Sequence, residues 1–247
     1  MTGILLDKLE TFIKDIVSRF DEGHNFDHVL DVADFSIHFY EAFPELTSEM
    51  CSDIYTACLL HEINDGKFVK DDDIIDVAQL LRDCRPELSK ERISIIIEMI
   101  EGTSYSKNGD NPIYPVWKAI PRMADRYFAT GRIGIGRAMT YSEYTKRAFD
   151  NLSLPLFFSE EEILRSNHLK MMNKAYIRGE RTNTTTMGHI YEKVVHIDIP
   201  TWFLDPISSS DLRGEPIKVF KMFHEARQDV LNFIICYSDL RRRVDQM

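Results

Sequence analysis

Cysteine is scarce and scattered. Cys51, Cys58, Cys84 and Cys236 form no CxxC pair and are too few for a disulfide scaffold in 247 residues. They read as buried thiols of a protein kept in a reducing compartment, so a cytoplasmic location is expected. A basic excess is also missing: 30 Lys and Arg face 40 Asp and Glu, a net charge of -10. Without a basic stripe, double-stranded nucleic acid is not an expected partner. A small anionic substrate remains compatible, because it needs only a few local cations and a metal. Long apolar runs are absent as well. The most apolar stretch, ISIIIEMIEG at 93–102, is interrupted by Glu98, so no membrane partner is expected. The opening MTGILLDKLETF lacks a basic start and an extended apolar run, so no signal peptide is expected. Internal repeats, low-complexity tracts and linkers are not seen. The glycines of GRIGIG, at 131, 134 and 136, match neither the dinucleotide nor the P-loop spacing. The run DDDIID at 71–76 lacks the glycine and distal glutamate of a calcium loop.

What is present is helical periodicity. Leu5, Leu9, Phe12, Ile16 and Phe20 recur at three- and four-residue steps, and Val29, Val32, Ala33, Ile37 and Tyr40 repeat the pattern until Pro44. A helix capped at Ser48 carries Ile54, Cys58 and Leu59. Further helices are expected over Asp71–Leu81, from Ser89 to Gly102, from Pro115, from near Gly134, over 189–196, and from about Glu215 to Arg243. Segment 151–188 mixes helical text with the polar run RGERTNTTTMG, which suits a mobile lid. The expected architecture is all-α: one domain over 1–247, with a core at about 20–150 and a C-terminal helical elaboration at about 151–247.

Three places combine metal-ligand residue types with helix ends. In GHNFDHVLDV, His24 and His28 stand four apart and would share one face of a helix. In LLHEINDGKF, His61 and Glu62 follow an apolar run and precede turn residues. Adjacent helical residues diverge by about 100°, so the pair can serve one metal only near a helix end, or two metals with the carboxylate as bridge. In RMADRYF, Asp125 lies on a mostly apolar face, where a lone carboxylate is costly unless paired or bound to a cation. Two imidazoles and two carboxylates suit Mn, Mg, Fe, Co, Ni or Zn. Lys67, Arg126, Arg132 and Arg137 lie nearby in sequence and suit phosphate. Singly, each element has a blander reading: a core histidine, a turn cap at His24, a solvent-side Glu62, or an Asp125–Arg126 ion pair.

In combination and order these segments resemble the HD superfamily of metal-dependent phosphohydrolases, in particular its small standalone members. HNFDHVLDV at 24–32, LLHEINDGKF at 59–68, IEGTSYSKNG at 100–109, MADRYFATGRIGIGR at 123–137 and TTMGHIYEKVVHI at 185–197 align with that family's motifs, over roughly residues 20–197. The resemblance implies an HD-domain helical bundle and a divalent metal. It implies hydrolysis of a phosphoester or pyrophosphate bond of a nucleotide or related small phosphorylated metabolite. His28, His61 and Asp125 would be metal ligands, with Glu62 in the place of the family's aspartate. Asp65 would orient or deprotonate the attacking water and Lys67 would hold phosphate. His24, Arg126, Arg137 and His189 would contact substrate. Two positions depart from the pattern: His-Glu replaces His-Asp, and Met123 replaces the first aspartate of D-A-D-R. The longer Glu62 side chain either is accommodated by its backbone or rotamer, or weakens the metal. The alternative is therefore a catalytically weakened metal- or nucleotide-binding module. A nuclease with a groove of Arg132, Arg137, Arg178 and Arg181 is a third reading, opposed by the net charge. The reading is compatible with a homo-oligomer.

Overall fold

The computed structural model describes residues 2–177, 184–196, 199–208 and 215–246. Among the described residues every regular element is helical. The α-helices are α1 (Thr2–Val17), α2 (Phe26–Ser36), α3 (Ser48–Leu60), α4 (Val77–Cys84), α5 (Lys90–Thr103), α6 (Tyr105–Asn108), α7 (Ile120–Phe128), α8 (Gly131–Tyr144), α9 (Glu160–Arg165), α10 (Asn167–Ile177), α11 (Thr186–His196), α12 (Thr201–Ser208) and α13 (Glu215–Asp245). Short 3-10 turns join several of them. The all-α expectation holds. No described helix is long and apolar enough to cross a membrane.

The chain divides into two compact units. The first comprises Met1–Arg126 and Pro200–Val219. Its centre is the pairing of α2 with α3, and α5 also packs against α3. Val29, Val32, Ile54, Leu59, Ile96 and Ile120 are fully buried there, each such aliphatic side chain contributing roughly 1.5–3 kcal/mol over exposure. Val29, Val32 and Ala33 of the expected stripe are thus the core face of α2, whereas Ile37, beyond the helix end, is exposed. In α12, Phe203 is buried edge-on against Phe39 (5.7 Å between centroids) and Phe43 (5.8 Å), and Trp202 Nε1 donates to the Asp110 carbonyl at 2.8 Å.

The helix starts follow side-chain capping. Asn25 accepts from the His28 N–H and starts α2 at Phe26, so His24 lies in the preceding 3-10 turn rather than on the helix of His28. Thr47, not Ser48, caps α3. The helix expected over Asp71–Leu81 is divided: Asp71–Asp73 form a 3-10 turn and α4 starts at Val77 with Asp76 as its cap. The physical cause is Asn64, whose side chain binds both the N–H and the carbonyl of Ile75 (3.0 and 2.9 Å) and removes that residue from any helical ladder.

The second unit comprises Tyr127–Ile199 and Phe220–Met247. Its core joins Ile135 and Ala138 with Met187, Ile190, Tyr191, Val230 and Ile234. The Tyr191 hydroxyl donates to the Pro155 carbonyl at 2.8 Å, and Arg241 binds the carbonyls of Leu152 and Leu154. The helix expected near Gly134 starts at Gly131. Gly131 has φ +60 and a Cβ there would lie 3.0 Å from Ala226 Cβ; a Cβ on Gly134 would lie 2.3 Å from the Ala129 carbonyl. These two glycines allow the close approaches at the start of α8. Within the polar run RGERTNTTTMG, positions 178–183, including Arg178 and Arg181, lie outside the described residues, so the lid and the arginine groove lie partly outside them too.

Candidate metal centre

Four side chains of the first unit meet at one point. His28, on the first turn of α2, and Asp125, on α7, face His61 and Glu62, which follow the last residue of α3. One ligand atom from each lies within 4.8 Å of all the others. His61 is the C-cap of α3, and the chain then turns tightly, with the Ile63 N–H donating to Leu60 and the Asp65 N–H to Glu62. Leaving the helix here is what lets two adjacent residues face one point. Asn64, clamped to Ile75, pins the turn.

His28 Nε2 lies 3.6 Å from Glu62 Oε1 and 3.4 Å from Asp125 Oδ1; His61 Nε2 lies 3.4 and 3.8 Å from the same two atoms. These separations exceed a good N–H···O bond of about 2.9–3.0 Å. Donors about 2.0–2.2 Å from one ion stand about 3.0–3.5 Å apart at neighbouring positions; two of the four separations, both 3.4 Å, fall in that range, and those of 3.6 and 3.8 Å are slightly longer. His61 Nδ1 donates to the Cys58 carbonyl at 2.6 Å, which places the proton on Nδ1 and leaves the Nε2 lone pair facing the carboxylates. The His28, His61 and Glu62 side chains are 3–5% exposed, whereas Asp125 is 21% exposed, so the cluster opens on the Asp125 side.

Electrostatics agree. Burial works against the Glu62 charge, yet the imidazoles of His28 and His61 hold its carboxyl well below the usual carboxylate range. Burial likewise opposes a charged His61, yet Glu62 and Asp125 raise its pKa above the ordinary value. Two carboxylates, one of them buried, and two imidazoles are a donor set suited to a divalent cation. Glu62 Oε1 lies within 3.6 Å of both imidazoles. Met123, the other departure, is fully buried and packs in the core.

The remaining residues singled out by sequence are placed as follows. His24 is buried, with Nδ1 2.9 and 3.0 Å from the two oxygens of Asp21, and its ring centroid lies 6.2 Å from that of His28. Asp65 Oδ1 accepts the Lys67 N–H at 2.9 Å, and its Oδ2 lies 3.0 Å from the Lys67 ammonium. Arg126 is buried, binds Asp110, and lies over the Tyr105 ring at 4.7 Å. Its neighbour Arg122 donates to the carbonyls of Gly102 (2.6 Å) and Asn111 (2.7 Å); burial pulls its pKa down to about 10. Both arginines therefore brace the loop after α5 against α7. Arg137 lies on α8 and His189 on α11, in the second unit, with His189 Nδ1 3.6 Å from Glu192 Oε2. Asp21, Asn64 and Arg122 escaped the sequence reading. For Asp21 a signal existed, the Asp-x-x-His spacing of DEGH.

No protein-family model matches the chain. An uncharacterised protein of Acanthamoeba polyphaga mimivirus, L803, is 27% identical over 194 residues, which is 73% of this chain and 77% of that one. Among solved structures, a Lactobacillus plantarum protein superimposes with a TM-score of 0.66 at 17% identity, over 98% of this chain and 99% of that one. Bacillus subtilis YpgQ gives 0.59 at 16%, over 97% of each chain. An HD-superfamily hydrolase of Bacillus thuringiensis gives 0.56 at 17%, over 98% and 99%. The chain therefore has the HD-domain fold that its motifs imply.

Proposed function

We propose that the chain is a metal-dependent phosphohydrolase acting on a nucleotide or a related small phosphorylated metabolite. The observation that carries this reading is the convergence of His28, His61, Glu62 and Asp125 on one point, in the chain order of the HD motifs. These four would hold a divalent cation such as manganese, magnesium or another transition metal. When bound, it would supply Lewis acidity toward a phosphoryl oxygen and toward water.

The protein's own part is orientation and charge. The Cys58 carbonyl holds His61 in the metal-binding tautomer. The carboxylates of Glu62 and Asp125 offset the two charges of the cation, which removes the cost of burying either acid unpaired. The more exposed Asp125 marks the side from which substrate enters. Lys67 is the cation of this unit assigned to phosphate; its Asp65 partner keeps it turned back on its own loop until an anion competes for it.

Protein loaded with Mn²⁺ is expected to release phosphate or pyrophosphate from members of a nucleotide panel. His61→Ala and Asp125→Ala are expected to bind no metal and release nothing. Wild-type protein that binds no divalent metal at micromolar concentration overturns the proposal.

A further inference from the structure

We infer that Asn64 ties the metal turn to the surface segment 70–76, so that metal affinity and the order of that segment depend on each other; this rests on the metal-dependent reading above. Asn64 acts here as a positioning residue, not as a ligand. It lies on the turn that carries His61 and Glu62. Its Oδ1 accepts the Ile75 N–H at 3.0 Å and its Nδ2 donates to the Ile75 carbonyl at 2.9 Å. An N–H only donates and a carbonyl only accepts, so the partner fixes which way the amide points. One side chain thus occupies both polar groups of a backbone residue eleven positions away, as a neighbouring strand would.

The turn is also anchored in the core. Ile63 is 1% exposed and its N–H donates to the Leu60 carbonyl, while the Asp65 N–H donates to Glu62. The two ligands therefore sit on a turn held by an apolar anchor at Ile63 and by hydrogen bonds at Asn64. The segment to which Asn64 is bonded is weakly held by burial: residues 70–74 are exposed, Ile74 at 59%. Segments with few buried apolar contacts open locally at low free energy. When 70–76 opens, Asn64 loses both bonds and the turn of His61 and Glu62 loses that support. Ligand distances to a metal tolerate only about ±0.2 Å, so a small displacement of the turn weakens binding. Linkage makes the effect reciprocal: the factor by which the closed clamp raises metal affinity is the factor by which metal favours the closed clamp.

Hydrogen exchange of segment 70–76 in the wild-type protein, read by mass spectrometry, tests this without any substitution. Saturating Mn²⁺ is expected to slow it about tenfold, although no residue of the segment belongs to the four-residue cluster. Asn64→Ala is expected to lower Mn²⁺ affinity about tenfold by calorimetry, as for other residues that support metal ligands. In that variant Mn²⁺ is expected to leave exchange at 70–76 unchanged. Asn64→Asp keeps the acceptor for the Ile75 N–H but sets an oxygen against the Ile75 carbonyl. Its added negative charge favours a cation, so an expected loss of about threefold or more reports position and not charge. Ser238→Ala removes two hydrogen bonds in the second unit, to the Ile234 carbonyl and from the Phe157 N–H. It is expected to leave Mn²⁺ affinity within about twofold of wild type. Exchange at 70–76 that Mn²⁺ does not change in the wild type overturns the coupling and leaves the metal reading standing. So does a normal Mn²⁺ affinity in Asn64→Ala, or an equal loss in Ser238→Ala. A wild type that binds no Mn²⁺ overturns that reading, and the coupling with it.

Discussion

At the scale of single residues, the centre depends on bond lengths. Glu62 reaches the two imidazoles because its backbone has left the helix and its side chain has one more methylene than aspartate. Glu62→Asp therefore restores the usual motif letter but withdraws the carboxylate by about 1.5 Å, against a tolerance of about ±0.2 Å for metal ligands. Mn²⁺ affinity measured by calorimetry is expected to fall about tenfold or more; unchanged affinity would mean that Glu62 is not a ligand. Proton traffic gives a second check. His61 has a raised pKa in the metal-free protein, so near neutral pH it carries a share of a proton that a bound cation must displace. Mn²⁺ binding is expected to release protons, read as a dependence of the calorimetric heat on the ionisation enthalpy of the buffer.

Among the elements, the start of α8 leaves little room for side chains. A Cβ on Gly134 would collide with the Ala129 carbonyl, whereas one on the exposed Gly136 meets nothing. Gly134→Ala is expected to destabilise by about 1–3 kcal/mol or more through overpacking. Gly136→Ala is expected to stabilise by about 0.5–1 kcal/mol, because alanine has the better helix propensity. Chemical denaturation of the two variants, with opposite signs, is the measurement. The glycines of GRIGIG are thus required by packing, two of the three at least, and not by a phosphate. Elsewhere the elements were legible in the periodicity, with departures set by side chains: Asn25 ends the continuity between His24 and His28, and Asn64 divides the helix expected over 71–81.

For the whole molecule, the cluster of His61 and Glu62 links stability to pH and to any cation it binds. The raised pKa of His61 stabilises the metal-free protein below the ordinary histidine value of 6.5, and that contribution is lost as pH rises through the raised value. The lowered pKa of Glu62 contributes above the ordinary 4.5 and is lost as pH falls toward its folded value. The metal-free cluster is thus most stabilising between about 4.5 and 6.5. A bound cation replaces the proton and favours higher pH. The gain in Tm on adding Mn²⁺ is therefore expected to widen from pH 6 to pH 8. At 100 times the dissociation constant the gain corresponds to about 2.7 kcal/mol. Thermal scans with and without metal, in the wild type and in His61→Ala, check both sign and size; the variant is expected to show no gain.

The sequence by itself determined the helical class, because apolar spacing and breakers act locally, and it determined which residue types could bind a metal. His28, His61, Glu62 and Asp125 were readable because each sits at a helix end, leads into an apolar stripe or stands as a lone carboxylate on an apolar face, in an order that resembles the HD family. Only the tertiary structure decided that the four converge, since 97 positions of chain separate His28 from Asp125 and no local rule measures that distance. It also decided the partners that orient them. The Cys58 carbonyl at His61, the Asp21 carboxylate at His24 and the Asn64 clamp on Ile75 are hydrogen bonds, whose strength depends on distances and angles that a sequence does not contain.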